Sequence, residues 1–178
     1  VSMQAVSGAG YPGLSYLDIQ DNVIPFIQGE EEKMERESRA LLGRMEGKQR
    51  VDADFILSAQ SNRVPVSEGH TICLSLELQA KASVGEIKEI LSDFRSPIYR
   101  PGLPSMPRFP ILVREEPDRP QPRKDRGAGD GMQVSMGRIR PCPVLDVRMV
   151  SVVHNTLRGA AKGAVLNAEL LVAEGLVS

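Results

Sequence analysis

Tryptophan is absent from the 178 residues, and aromatic side chains make up only 4%. That is a poor supply of stacking platforms for single-stranded nucleic acid. Cysteine is scarce too. Cys73 and Cys142 are too few for a disulfide scaffold, so a reducing compartment, the cytoplasm, is the expected setting. No apolar run approaches the ~20 residues of a membrane span, and the opening residues do not read as a signal peptide. Neither sign of charge dominates: Lys plus Arg is 22 against Asp plus Glu at 23, a formal charge of −1. A nucleic-acid or membrane-surface protein would carry a basic excess, so neither partner is expected. The two histidines and two cysteines are scattered, without CxxC or HxxxH spacing, so no metal is expected either. What remains is globular composition, 41% apolar and 25% charged. A domain near this length removes roughly 70% of its unfolded surface from water, enough for a core without staples.

The pattern along the chain is that of a single α+β domain with one long insertion. The first 20 residues are turn-rich and hold little regular structure. From about Gly29 to Leu42 strong helix formers follow three acids that suit a helix N-terminus. Met34, Leu41 and Leu42 give that helix a thin apolar stripe, which places it on the surface. A strand is expected at about Asp54 to Asn62. The next is clearer, because Ile72, Leu74, Leu76 and Leu78 alternate with Cys73, Ser75, Glu77 and Gln79. Ser83 and Glu86 have the spacing of a capping box, and Ile87, Ile90, Leu91 and Phe94 continue an amphipathic helix over 84–94. Residues 95–131 hold 8 of the 13 prolines and eight basic residues against five acidic. Much of that stretch is expected to be loop, as an arm, a lid or an interface element, with a short strand from Phe109 to Arg114. Strands at Met132–Met136 and Val144–Val153 follow. The last helix starts near Thr156 or Leu157, with a stripe of small and branched residues suited to packing on a sheet.

Gly8-Ala-Gly-Tyr-Pro-Gly13 matches G-x-G-x-x-G, the dinucleotide fingerprint, but Pro12 and Gly13 disfavour the helix that the fingerprint needs. A plain turn is the better reading. His70 follows the turn Ser67-Glu68-Gly69 and opens onto a strand, a position from which imidazole can act as a general base near neutral pH. Arg63 flanks the same turn, so a guanidinium fork and an imidazole can meet one anionic ligand. Glu30-Glu31-Glu32-Lys33 reads as a solvated helix start that could also hold an anion. His154 and Asn155 lie at a strand–helix junction, and a strand-end residue without catalytic part is the better reading of His154. Cys73 belongs to the polar side of its strand and neighbours no activating helix terminus, against its being a nucleophile. Residues 119–126, rich in Arg and Pro, read as a solvated loop more than as an RNA contact.

Several segments taken together resemble the C-terminal half of the aspartate-β-semialdehyde dehydrogenases, in their fungal–archaeal branch. They are Ser2-Met-Gln-Ala-Val-Ser-Gly-Ala-Gly10, Asp21–Ile27 with Gly29–Lys33, Ser61–Val66 with Gly69-His-Thr71, and His154–Ala161 with Asn167–Leu170. They occur in family order and span nearly the whole chain. The resemblance implies a mixed, largely antiparallel sheet packed by helices, like the C-terminal domain of glyceraldehyde-3-phosphate dehydrogenase-like enzymes, whose other face helps form a homodimer. It implies an oxidoreductase of threonine and methionine biosynthesis that reduces β-aspartyl phosphate to aspartate β-semialdehyde with NADPH, releasing phosphate through a cysteine thioester. By motif, His70 resembles the acid/base group and Gln4 the glutamine that orients substrate. Arg63 resembles the clamp on the α-carboxylate. Glu30 and Lys33 resemble the pair at the substrate's amino group and phosphate, with a register that three consecutive Glu leave open. Ser7, Gly8 and Asn155 resemble residues lining the NADP site.

The family's Rossmann domain and nucleophilic cysteine precede the first of these segments. Residues 1–178 are therefore expected to be one substrate-binding and dimerisation domain of a longer enzyme, with Val1 marking a cut, and to be inactive alone. The alternative from another class is a non-catalytic dimerisation module carrying a Pro/Arg-rich arm.

Overall fold

Alternating apolar side chains at Ile72, Leu74 and Leu76 make a half-buried strand. In the computed structural model, which describes residues 1–177, that strand lies inside one six-stranded sheet. The strands are β1 (Ser2–Gln4), β4 (Ser61–Arg63), β5 (His70–Leu76), β6 (Ile111–Val113), β7 (Val134–Pro141) and β8 (Val147–Val153). Their order is β4-β1-β5-β8-β7-β6. The β1–β5, β5–β8 and β7–β8 pairs are antiparallel, while β1–β4 and β6–β7 are parallel. This is the expected mixed, largely antiparallel sheet. A separate exposed hairpin, β2 (Arg44–Glu46) with β3 (Gln49–Val51), was not foreseen.

The core forms where β7 and β8 meet α3 (Val84–Asp93). Met136, Ile139, Val147 and Met149 are buried there, and Val84, Ile87 and Leu91 press on them from the helix. The capping box is made in both directions: Ser83 Oγ accepts from Glu86 N–H at 3.2 Å, and the Glu86 carboxylate accepts from Ser83 N–H at 2.7 Å. Two free backbone donors are thereby satisfied and the helix start is fixed. The α3 stripe is narrower than its spacing suggests, with Ile90 and Phe94 exposed. After one short helix, α1 (Tyr16–Ile19), helix α2 (Glu30–Leu41) buries no residue and lies on the surface, as its thin stripe requires.

Three expectations need correction. The stretch 54–62 is a strand only from Ser61 onward. Before it, Ala59 N–H and Ser61 N–H donate to the side chains of Glu35 and Glu31 on α2, at 2.9 and 2.7 Å. Helix carboxylates thus occupy donors that a neighbouring strand would otherwise take. The final helix, α5 (Lys162–Ala173), follows one wide turn at Leu157–Ala161 and does not lay its small-residue stripe on the sheet. Only Leu166 is buried, Val165 and Val172 are exposed, and the helix meets the 103–106 loop through the bonds of Glu169 to Ser105. The Val144–Val153 strand begins only at Val147, because residues 142–146 turn the chain from β7 into β8.

Residues 95–131 form neither a free arm nor a solvated loop at their C-terminal end. A short helix, α4 (Pro122–Asp125), carries Asp125 into full burial. There its carboxylate accepts from Arg119 through both oxygens, from Gln121 N–H at 2.6 Å, and faces Arg114 Nε at 2.9 Å. Burial pushes this carboxyl up, but the guanidiniums and the backbone donor outweigh it and hold the group below the usual carboxylate range. Two of the arginines that suggested an RNA contact are spent on internal bonds, Arg119 here and Arg126 on the turn before β5. The short strand expected at Phe109–Arg114 is β6, Ile111–Val113. No helix among the described residues is long and apolar enough to cross a membrane.

Candidate functional site

The polar end of the sheet gathers Arg63 and His70, which flank one turn, and several residues to which the resemblance gave a site role. In the β1–β4 register Gln4 stands beside Arg63, and β5 opens at His70 on the other side of β1. Parallel pairing of a strand from the first turn with one some 60 residues later is what unites them, which no local pattern in the sequence reveals. Gln4 is buried, and its Nε2 donates to Glu30 Oε1 at 3.0 Å. Glu30 Oε2 lies 3.7 Å from Lys33 Nζ on the next turn of α2. The three consecutive acids thereby face different partners. Glu30 faces Gln4, Glu31 serves Ser61, and Lys33 stands half-exposed at the rim.

Arg63 is only 6% exposed, yet among the described residues its guanidinium makes one hydrogen bond, from Nη1 to Ala5 O at 2.8 Å. Among the described residues no carboxylate comes within ion-pair distance of it. Burial lowers its pKa and Glu30, acting from farther off, raises it. A buried guanidinium without a partner is unfavourable until an anion arrives. His70 Nδ1 accepts from Ala5 N–H at 3.1 Å, so the neutral ring carries its proton on Nε2. Burial first, and then the charge of Arg63, push its pKa down to about 4, against a smaller opposing effect of Glu30. Near neutral pH the ring is an uncharged Nε2–H donor. Acting as a base at that nitrogen would require the Ala5 bond to Nδ1 to break.

Gly8 roofs the pair. A Cβ built on it would stand 2.7 Å from Arg63 Nη1 and 3.0 Å from His70 Cε1, so a larger residue would push the guanidinium away from its bond to Ala5 O and crowd the imidazole. Gly8 belongs to a single 3-10 turn, Val6–Ala9, and no helix opens at its glycines. The fingerprint match is a turn, and it covers the site by close approach of backbone. Asn155 joins the same corner. Its Oδ1 accepts from Gly69 N–H at 2.9 Å and its Nδ2 donates to Ser7 Oγ at 2.8 Å. Among the described residues one N–H and one lone pair of that amide have no partner, nor has the Ser7 hydroxyl proton, so the corner can still take a ligand amide. Among the described residues no group of three or more His, Cys, Asp or Glu side chains could hold a metal.

Neither thiol serves this corner. Cys73 is three residues from His70 on one strand, which puts the two on opposite faces of the sheet. Cys142 lies in the turn between β7 and β8, where backbone N–H groups of Leu145 and Val144 and the nearby Arg148 lower its pKa. Sequence reasoning missed Glu68, Thr156 and Arg126. Thr156 Oγ1 donates to Glu68 Oε1 at 3.0 Å, and Arg126 Nη1 donates to Glu68 O at 3.0 Å, so both hold the turn before His70. Buried His154 faces the same carboxylate, 3.7 Å from Glu68 Oε2. Only the adjacency of His154, Asn155 and Thr156 hinted at this.

Residues 1–158 match the protein family described as semialdehyde dehydrogenase, dimerisation domain. The chain is 48% identical over 176 residues to the aspartate-semialdehyde dehydrogenase of Archaeoglobus fulgidus, an alignment covering 99% of this chain and 50% of that protein. With its counterpart in Schizosaccharomyces pombe it shares 47% over 182 residues, 99% of this chain and 51% of the relative. The crystal structure of the Candida albicans aspartate semialdehyde dehydrogenase with NADP matches with a TM-score of 0.90 at 41% identity, over 99% of this chain and 50% of that one. Aspartate semialdehyde dehydrogenase II of Vibrio cholerae, solved in complex with ASA, matches with a TM-score of 0.75 at 25% identity, over 97% of this chain and 53% of that one. The chain spans about half the length of the curated relatives it matches.

Proposed function

The chain belongs to the semialdehyde dehydrogenase dimerisation-domain family, and on that premise we propose that it is the substrate-binding and dimerisation part of an aspartate-semialdehyde dehydrogenase. The observation that carries this reading is the buried, carboxylate-free guanidinium of Arg63 beside the Nε2–H of His70, both under Gly8. Such a pair fits a small amino-acid-derived anion. Arg63 keeps free donors to take the α-carboxylate as a fork. Glu30 offers a carboxylate to the substrate's amino group, and Lys33 a cation at the rim for phosphate. Gln4, fixed by Glu30, orients the chain of the substrate between them.

His70 holds a proton at Nε2 facing the space beneath the roof, where it can hydrogen-bond a thiolate or an oxygen that gains charge. The thiol itself is proposed to come from outside these 178 residues, since Cys73 faces away and Cys142 is remote. NADPH, when bound, would supply the hydride that reduces the acyl group and would leave as NADP. Ser7, Gly8 and Asn155 would meet its nicotinamide end with the unspent hydrogen-bonding groups of that corner. A second copy of the chain is the expected partner, and the mass of the chain in solution reads that directly.

The test of the site is binding. Aspartate β-semialdehyde added to the 178-residue chain should shift the NMR signals of Arg63 Nε–H, His70 Cε1–H and the Gln4 side-chain amide, saturably. Arg63→Ala should abolish the response, and shifts that survive it sink the assignment. Phosphate-dependent NADP reduction should be undetectable for the chain alone. Turnover there would overturn the claim that the thiol is supplied from elsewhere.

A further inference from the structure

We infer that Asn155 is a positioning residue: its amide ties the turn that carries His70 to the turn that roofs it. The two turns are far apart in sequence. Gly69 immediately precedes His70, and Ser7 immediately precedes Gly8. Backbone bonds hold the turns together only part of the way. Val6 N–H donates to Val66 O at 2.8 Å and Ser7 N–H to Ser67 O at 3.2 Å, and then Gly8 N–H turns back to Ala5 O. Beyond that point the Asn155 side chain makes the link, accepting from Gly69 N–H and donating to Ser7 Oγ.

The link has to be stiff. Gly8 approaches Arg63 and His70 so closely that a Cβ there would stand 2.7 Å from Arg63 Nη1 and 3.0 Å from His70 Cε1, so small shifts of either turn change the space above the imidazole. Gly69 has little room on its other side. With φ at +95°, a Cβ there would stand 3.1 Å from Cβ of Arg126 and 3.3 Å from that of Pro122. The turn is therefore pressed on α4 below and tied by Asn155 from the end of β8. Thr156 adds an outer brace through Glu68. This role uses one donor and one acceptor of the Asn155 amide and leaves the others for a ligand.

The inference deepens the proposed function, because it rests on His70 being the site's proton-holding group. Its test does not depend on that function. The titration of His70 Cε1–H in the 178-residue chain reads how far the roof shields the ring. The charged groups that face the ring, Arg63 on β4 and Glu30 on α2, stay in place in every variant. The wild-type midpoint is expected at about 4. Asn155→Ala should raise it by about one unit or more as water enters between the turns. Ser7→Ala should raise it less, and the double variant no further than Asn155→Ala, since the amide and the hydroxyl act through one bond. A folded Asn155→Ala protein with an unchanged midpoint, or additive effects of the two substitutions, overturns the inference. Should Asn155→Ala fail to fold, Ser7→Ala decides alone, and a wild-type midpoint there overturns it. Shifted midpoints with no response to semialdehyde would leave the link standing and remove the function.

Discussion

The two ends of the sheet bury opposite kinds of side chain. Where β7 and β8 meet α3, the buried residues are Met136, Ile139, Val147 and Met149. Around β1, β4 and the start of β5 they are Ser2, Gln4, Ser61, Arg63 and Thr71. The apolar end gains by removing hydrocarbon from water, about 25 cal/mol per Å2. The polar end gains little from burial and must be held by hydrogen bonds, several of them accepted by the carboxylates of α2 and one donated by Arg126 beside α4. One end is therefore stabilised by hydrocarbon burial, and the other, held by polar contacts, keeps a ligand site at some cost to stability. Substitutions that separate these roles test the division.

The largest effect is expected at the support of the polar end. Asp125→Ala leaves Arg119 and Arg114 facing a buried site without their carboxylate, and should destabilise the chain by about 3–5 kcal/mol in urea unfolding. A loss under 1 kcal/mol would mean that residues 117–126 are a loose arm after all. Next comes the apolar end. Met149→Ala should cost about 2–4 kcal/mol through the cavity it leaves, while the His70 midpoint stays where it is. A shifted midpoint would show that the two ends are not separable.

At the ligand end the signs should reverse. Arg63→Met removes an unpaired buried charge at similar volume, so stability should hold or rise. Semialdehyde binding should fall by about 100-fold, the worth of a charged bidentate contact. A variant that loses stability by more than 2 kcal/mol while still binding would make Arg63 a structural residue.

How far the sequence showed this division depends on the range of the contacts. The apolar end was legible because its signals are local. Period-two alternation at Ile72–Leu76 and the Ser83–Glu86 box each act within a few residues, and both appear where expected. Much of the polar end was legible only by resemblance. Gln4, Arg63 and His70 meet because a parallel β1–β4 pair and an antiparallel β1–β5 pair bring distant segments together. The strand expected at 54–62 failed for a related reason. Its propensity was overridden by Glu31 and Glu35, which take backbone donors from across α2. The stripe on α5 read as core because periodicity reports an apolar face without naming what it meets.

The smallest effect is the pH dependence of folding set by His70. Its ordinary pKa is 6.5 and the folded protein holds it at about 4, by burial and then by Arg63. Between those values the unfolded chain binds a proton at this ring that the folded chain refuses. The contribution of the neutral ring is therefore full above about pH 6.5, shrinks as pH falls, and is gone once pH has passed through about 4. Solvent reaches part of the ring, so the swing should not exceed about 2 kcal/mol. Asp125 loses its favourable ionisation only at lower pH, because its carboxyl sits below the ordinary 3.8, so the two windows are distinct. His70→Gln should flatten the urea midpoint between pH 4 and 6.5 and leave the steeper loss below it. A His70→Gln curve that parallels wild type through this window would mean that the ring is not held neutral by its site. The polar end would then be an ordinary solvated surface, and the contrast between the two ends would fail.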